Sequence, residues 1–115
     1  HIEGNYVGLN IDGDTPIPNE TGILAAGSDI IIGGGSTSTR NVVSGNIAFN
    51  VSVQGILAPT VDNEVRGNYI GTNAAGDVDS AITSVQGEGV RIAGDSSDNI
   101  VTGNRIAEIV IAASE

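Results

Sequence analysis

Apolar residues along this chain come in runs of three to five, each closed by Gly, Asn, Asp or Ser. Runs of that length are too short for helices, and no useful window carries a 3.6-residue period. Short Ile- and Val-rich strands joined by tight turns are the elements predicted. The runs also recur. A Gly-Asn pair follows a short apolar run four times: Gly4-Asn5 in "IEGN", Gly45-Asn46 in "VVSGN", Gly67-Asn68 in "EVRGN" and Gly103-Asn104 in "IVTGN". A second phrase starts at Gly22 ("GILAAGSDIII"), Gly55 ("GILAPTVDNEV") and Gly89 ("GVRIAGDSSDNIV"), with "EIVIAAS" as a worn further copy.

Repeats of about 22 residues with insertions of variable length predict a solenoid. From Gly55 one coil reads strand "ILA", turn "PTVDN", strand "EVR", turn "GN", strand "YIG", then a loop back. The loop is "NAAGDVDSAITSVQ" in that coil and "NIDGDTPIPNET" in the first, while "GGSTSTR" inserts at a different corner. The expected fold is all-β: one parallel β-helix domain over residues 1–115, with about four coils. Stacked coils would lie about 4.8 Å apart, with like residues above one another inside. Glycine at the corners supplies positive φ, and corner asparagines pair their amides from coil to coil. Asn68 and Asn104 are expected to stack in this way, with Asn5 or Asn46 continuing the column. Because "IEGNYVGLNIDGD" and "VRGNYIGTNAAGD" lie 63 residues apart, a coil containing "IIIGG" and "NVVSGN" should separate them.

Composition fits a narrow core. The chain has one Phe, two Tyr, no Trp and no Met, so Ile, Val, Leu and Ala must fill it. Seventeen glycines without an every-third-residue period exclude collagen. There is no Cys to form a disulfide or bind metal, and no apolar run long enough to span a membrane. A net charge of −10, from fourteen carboxylates against four arginines, repels a phosphate backbone and argues against nucleic-acid binding.

The phrases "GNYIGTNAAGD", "IIIGGGSTSTRNVVSGN" and "GVRIAGDSSDNIVTGN" resemble right-handed parallel β-helix repeats of the pectate-lyase-like superfamily, of the bacterial surface and secreted type. The resemblance covers nearly the whole chain. It implies a right-handed coil and an extracellular or cell-surface setting. It leaves function open, because such repeats serve enzymes, adhesins and spacers alike. Relatives usually run many coils between caps; here no amphipathic capping helix is expected, and both ends are uncapped.

Candidate chemistry is thin. A lyase would need a basic residue and Asp ligands for Ca²⁺. The bases are Arg40, Arg66, Arg91, Arg105 and the terminal His1, which is given no role. Arg66 and Arg105 flank Gly-Asn turns and lie near one edge; the expected state of these arginines is outward, paired with neighbouring carboxylates. Asp12 and Asp14 in "NIDGDT", and Asp77 and Asp79 in "GDVDS", are the candidate Ca²⁺ or acid/base pairs, although capped turns use Asp in the same way. Asn19 and Asn50 fit the glycosylation sequon. No catalytic residue and no required cofactor is assigned. The expected function is a non-catalytic structural module that self-associates by end-to-end strand stacking into a filament or longer solenoid. The alternative is a polysaccharide-binding or lyase-like β-helix domain with glycan partners.

Overall fold

The computed structural model describes residues 1–107 and 111–113; Glu108, Ile109, Val110 and Ser114 of the expected "EIVIAAS" copy lie outside them. Among the described residues the chain is all-β apart from one helical turn. In order, the elements are β1 (Tyr6–Val7), β2 (Thr21–Ala25), β3 (Ile31–Gly33), β4 (Val42–Val43), β5 (Phe49–Val61) and β6 (Glu64–Arg66). Then come β7 (Tyr69–Ile70), α1 (Ser80–Thr83), β8 (Glu88–Ser97), β9 (Ile100–Thr102), β10 (Arg105–Ile106) and β11 (Ile111–Ala113). They form three parallel sheets, in the orders β1-β4-β7-β10, β11-β8-β5-β2 and β3-β6-β9. Each strand thus pairs with the strand three further along. Ile2 adds a parallel bridge to Ile32 at the outer side of β3. Among the described residues, no helix is long and apolar enough to cross a membrane.

The register stacks like upon like. One column runs Ile23, Val51, Val90, and the next runs Ala25, Val53, Ile92. The β3-β6-β9 sheet contributes Ile32, Val65 and Val101, and the β1-β4-β7-β10 sheet contributes Val7, Val43, Ile70 and Ile106. These residues form one apolar cluster between the sheets. Parallel in-register pairing places successive levels about 4.8 Å apart, so each branched side chain rests on another of similar size. The inward positions are held by Ile, Val and Ala, in keeping with a composition poor in aromatics.

The register corrects two expectations. The phrase starting at Gly55 is not level with that starting at Gly22. Ile23 pairs with Val51, so Gly22 stands opposite Asn50, and the "GILA" match is five residues out of step. The segment "PTVDN" is also not a turn. Strand β5 continues to Val61, its register against β8 shifts between Gly55 and Thr60, and only Asp62 takes the left-handed φ of 59°. The extra residues of β5 are absorbed there as an irregularity. Downstream the levels realign, with Ile31 opposite Glu64 and Glu64 opposite Ile100.

The two long loops leave the chain after β1 and β7. Their doubled sequence makes one structure twice. Asn10 accepts the backbone N–H groups of Asp14 and Thr15, and Asn73 accepts those of Ala75 and Asp77. Ala74 donates its N–H to the Gly13 carbonyl at 2.8 Å, so the tips touch over the short turn of the intervening level. Leu9 from one loop and Ile82 from α1 in the other bury Val42 on the outward face of β4. Asp79 caps α1 by accepting the Ala81 N–H.

Candidate functional site

The corner leading from the β3-β6-β9 sheet into the β1-β4-β7-β10 sheet is built from glycine and asparagine at each level. Gly33 stands opposite Arg66, which places Gly34 level with Gly67 and Gly103. Gly67 has φ 67°, and a Cβ there would overlap the Gly34 carbonyl. Only glycine meets both demands. After the glycine comes the asparagine. Asn5 donates its backbone N–H and its Nδ2 to Oδ1 of Asn41, at 3.0 and 3.1 Å. Asn41 donates the same pair to Asn68 at 3.2 and 3.0 Å. Asn68 does so to Asn104 at 2.9 and 3.0 Å. The second Nδ2 hydrogen reaches back to the Ile2, Ile32 or Val65 carbonyl. Asn41 and Asn68 are fully buried, so the ladder satisfies polar groups that have no water to turn to.

Asn46 is not in this column. The corner glycine of the second level is Gly34 and its asparagine is Asn41; "GSTSTR" (35–40) is inserted between them. Gly45-Asn46 belongs to the next corner. Asn46 accepts from the backbone and side chain of Asn19 and donates to Asn50, and Asn50 donates to Gln86. Gln86 also accepts the Gly45 N–H and donates to the Gly71 carbonyl. Gly45 itself has φ 72° and Gly4 and Gly103 have 74° and 63°, so all four expected turn glycines are left-handed. Asn50 is fully buried with its amide engaged, which removes its sequon from use in the folded chain. The third corner carries Asp29, Asp62 and Asp98 at φ 55–60°, and Asn63 bridges it by accepting from Ile30 while its own N–H goes to Asn99.

A cavity of about 460 Å³ opens over the Gly-Asn corner. Gly34, Gly67 and Gly103 line it because they offer no side chain, and the 34–37 segment forms one wall. The residues flanking the corner supply Arg40, Arg66 and Arg105. Three of the four cationic side chains in a chain of net charge −10 therefore converge on one cleft. Arg40 lies over the Tyr69 ring, 4.0 Å from its centroid. Arg66 approaches Glu64 at 3.7 Å, and among the described residues it is the only arginine in an ion pair. Arg40 and Arg66 each leave a buried Nε–H without an acceptor. The expectation that the arginines are outward and paired with carboxylates holds for Arg66 alone. Arg91 sits elsewhere, 4.7 Å from the Phe49 ring centroid.

The signal for this cleft was present as "TRNV", "VRGNY" and "TGNRI". It is visible only once Asn41 is aligned with Asn68 and Asn104. The candidate carboxylates are dispersed by comparison. Asp14 accepts from the Thr15 hydroxyl and Asp79 caps α1, each a local use. Asp12 and Asp77 are exposed on their loops. Among the described residues no three His, Cys, Asp or Glu side chains gather where a metal ion would need them.

Comparison of the chain with protein-family models, with curated proteins and with solved structures returns no match.

Proposed function

We propose that the chain is a non-catalytic structural module: a right-handed parallel β-helix of about four coils, of the pectate-lyase-like surface and secreted type. One observation carries the reading. Parallel pairing of every strand with the third one on, together with the continuous Asn5-Asn41-Asn68-Asn104 column, is what a coiled chain of three strands per turn requires. Four levels span three spacings, roughly 14 Å, which lies within the shortest extent of 18 Å. In this reading the outer edges of the Ile2 segment, β1 and β2 meet those of β9, β10 and β11 of another copy. The join continues the backbone ladders and generates an open filament. Its setting is extracellular or at a cell surface, and it needs no cofactor; Ca²⁺ at Asp12 and Asp14 or at Asp77 and Asp79 is not part of it.

Light scattering coupled to size exclusion tests the association. Mass should rise with protein concentration in single-chain steps. One constant monomer mass across the range rejects end-to-end joining. The arginine-lined cleft favours a second reading, a domain that binds an acidic glycan. A glycan array distinguishes the two, since a purely structural module retains nothing.

A further inference from the structure

We infer that the cleft over the Gly-Asn corner is a binding site for the phosphate monoester of a small polar molecule. This inference is independent of self-association. Fourteen carboxylates give most of the surface a negative field, yet Arg40, Arg66 and Arg105 are brought together from three different levels of the fold. With Glu64 beside Arg66, the local balance is two positive charges. A phosphate monoester near neutral pH carries between −1.5 and −2, which neutralises that balance, whereas a carboxylate or a sulfate ester carries one charge.

Geometry supports the same ligand. Guanidinium groups bind phosphate oxygens through two parallel N–H donors. Ser36, Thr37 and Thr102 line the same cavity and add hydroxyl donors suited to a tetrahedral oxyanion. Gly34, Gly67 and Gly103 line the cavity with backbone alone. About 460 Å³ admits a phosphate with an attached sugar-sized group, and lies within the usual range for small-molecule sites. Among the described residues the arginines are not saturated: Arg40 has the Tyr69 face, and both Arg40 and Arg66 keep a buried N–H without a partner.

The test is a titration of the full chain with glucose 6-phosphate, followed by backbone and arginine Nε–H NMR shifts and by calorimetry. Inorganic phosphate, glucose 6-sulfate and glucuronate are the comparison probes. Saturable shifts at Gly34, Gly67, Gly103 and the arginine Nε–H groups are expected with glucose 6-phosphate. Binding should weaken as pH falls below the second phosphate pKa of about 6. R105A is the first variant, because Arg105 is exposed and its loss leaves the buried structure in place. It should weaken binding about tenfold or more, whereas R91A, outside the cleft, should bind as the parent does. Weaker binding of inorganic phosphate than of glucose 6-phosphate supports a monoester site. Equal or tighter binding of inorganic phosphate overturns the monoester assignment. Equal binding of the sulfate ester or glucuronate overturns the charge argument. Absence of saturable shifts with every probe overturns the site.

Discussion

Replacing Asn68 with alanine removes one of the two fully bonded side chains of the corner column, Asn41 being the other. The Asn68 Oδ1 accepts the backbone N–H and Nδ2 of Asn41, and its Nδ2 donates to Ile32 and Asn104. Four hydrogen bonds at about 1 kcal/mol net each amount to about 4 kcal/mol. The groups left behind make this a lower figure, because the Asn41 amide is fully buried and a stranded buried donor costs about 1–3 kcal/mol by itself. A domain of this size has roughly 5–15 kcal/mol in total. Urea unfolding followed by far-UV circular dichroism measures the loss. With a slope of about 2 kcal/mol per molar, the midpoint should fall by about 2 M. Asn10→Ala is the comparison, since Asn10 caps a loop through two bonds to exposed residues; it should cost about 1 kcal/mol. If Asn68→Ala costs no more than Asn10→Ala, the column does not hold the levels together and the reasoning fails.

Asn68→Asp keeps the shape but turns an acceptor toward the Ile32 carbonyl and Asn104 Oδ1. Burial raises the folded pKa of the new carboxyl above its unfolded value, so stability is lost as pH rises through that range; the urea midpoint, relative to the parent, should be lower at pH 7 than at pH 4. Gly67→Ala combines a left-handed φ with overlap on Gly34 and should cost at least about 2 kcal/mol by the same unfolding assay. Ile82→Ala empties a fully buried site between Leu9 and Val42 and should cost about 2–4 kcal/mol, which a merely solvated loop would not show.

The inward columns were legible because side chains of one class recur at each level, and a parallel stack requires nothing finer. Asn68 and Asn104 were legible because glycine and asparagine are adjacent there. The second level was hidden for a physical reason. Its corner accommodates an insertion between Gly34 and Asn41 without disturbing the ladder, since a loop can leave and return at a corner where backbone already faces outward. The adjacent Gly45-Asn46 then offered a false match one corner further on. The "GILA" phrases misled similarly: Ile23 and Ile56 share a local pattern, but pairing is decided by which residues stack on Val51 and Val90. Arg66 and Arg105 were placed near one edge by the Gly-Asn turns they flank, and Arg40 joins them in the cleft only through the corrected register. No local spacing places Arg40 there.

Cryo-electron microscopy of the concentrated chain tests the structural reading most directly. The reading predicts unbranched filaments whose strands stack along the axis at about 4.8 Å, with a rise of roughly 19 Å for each four-level subunit. A field of single, monodisperse particles at high concentration would contradict it.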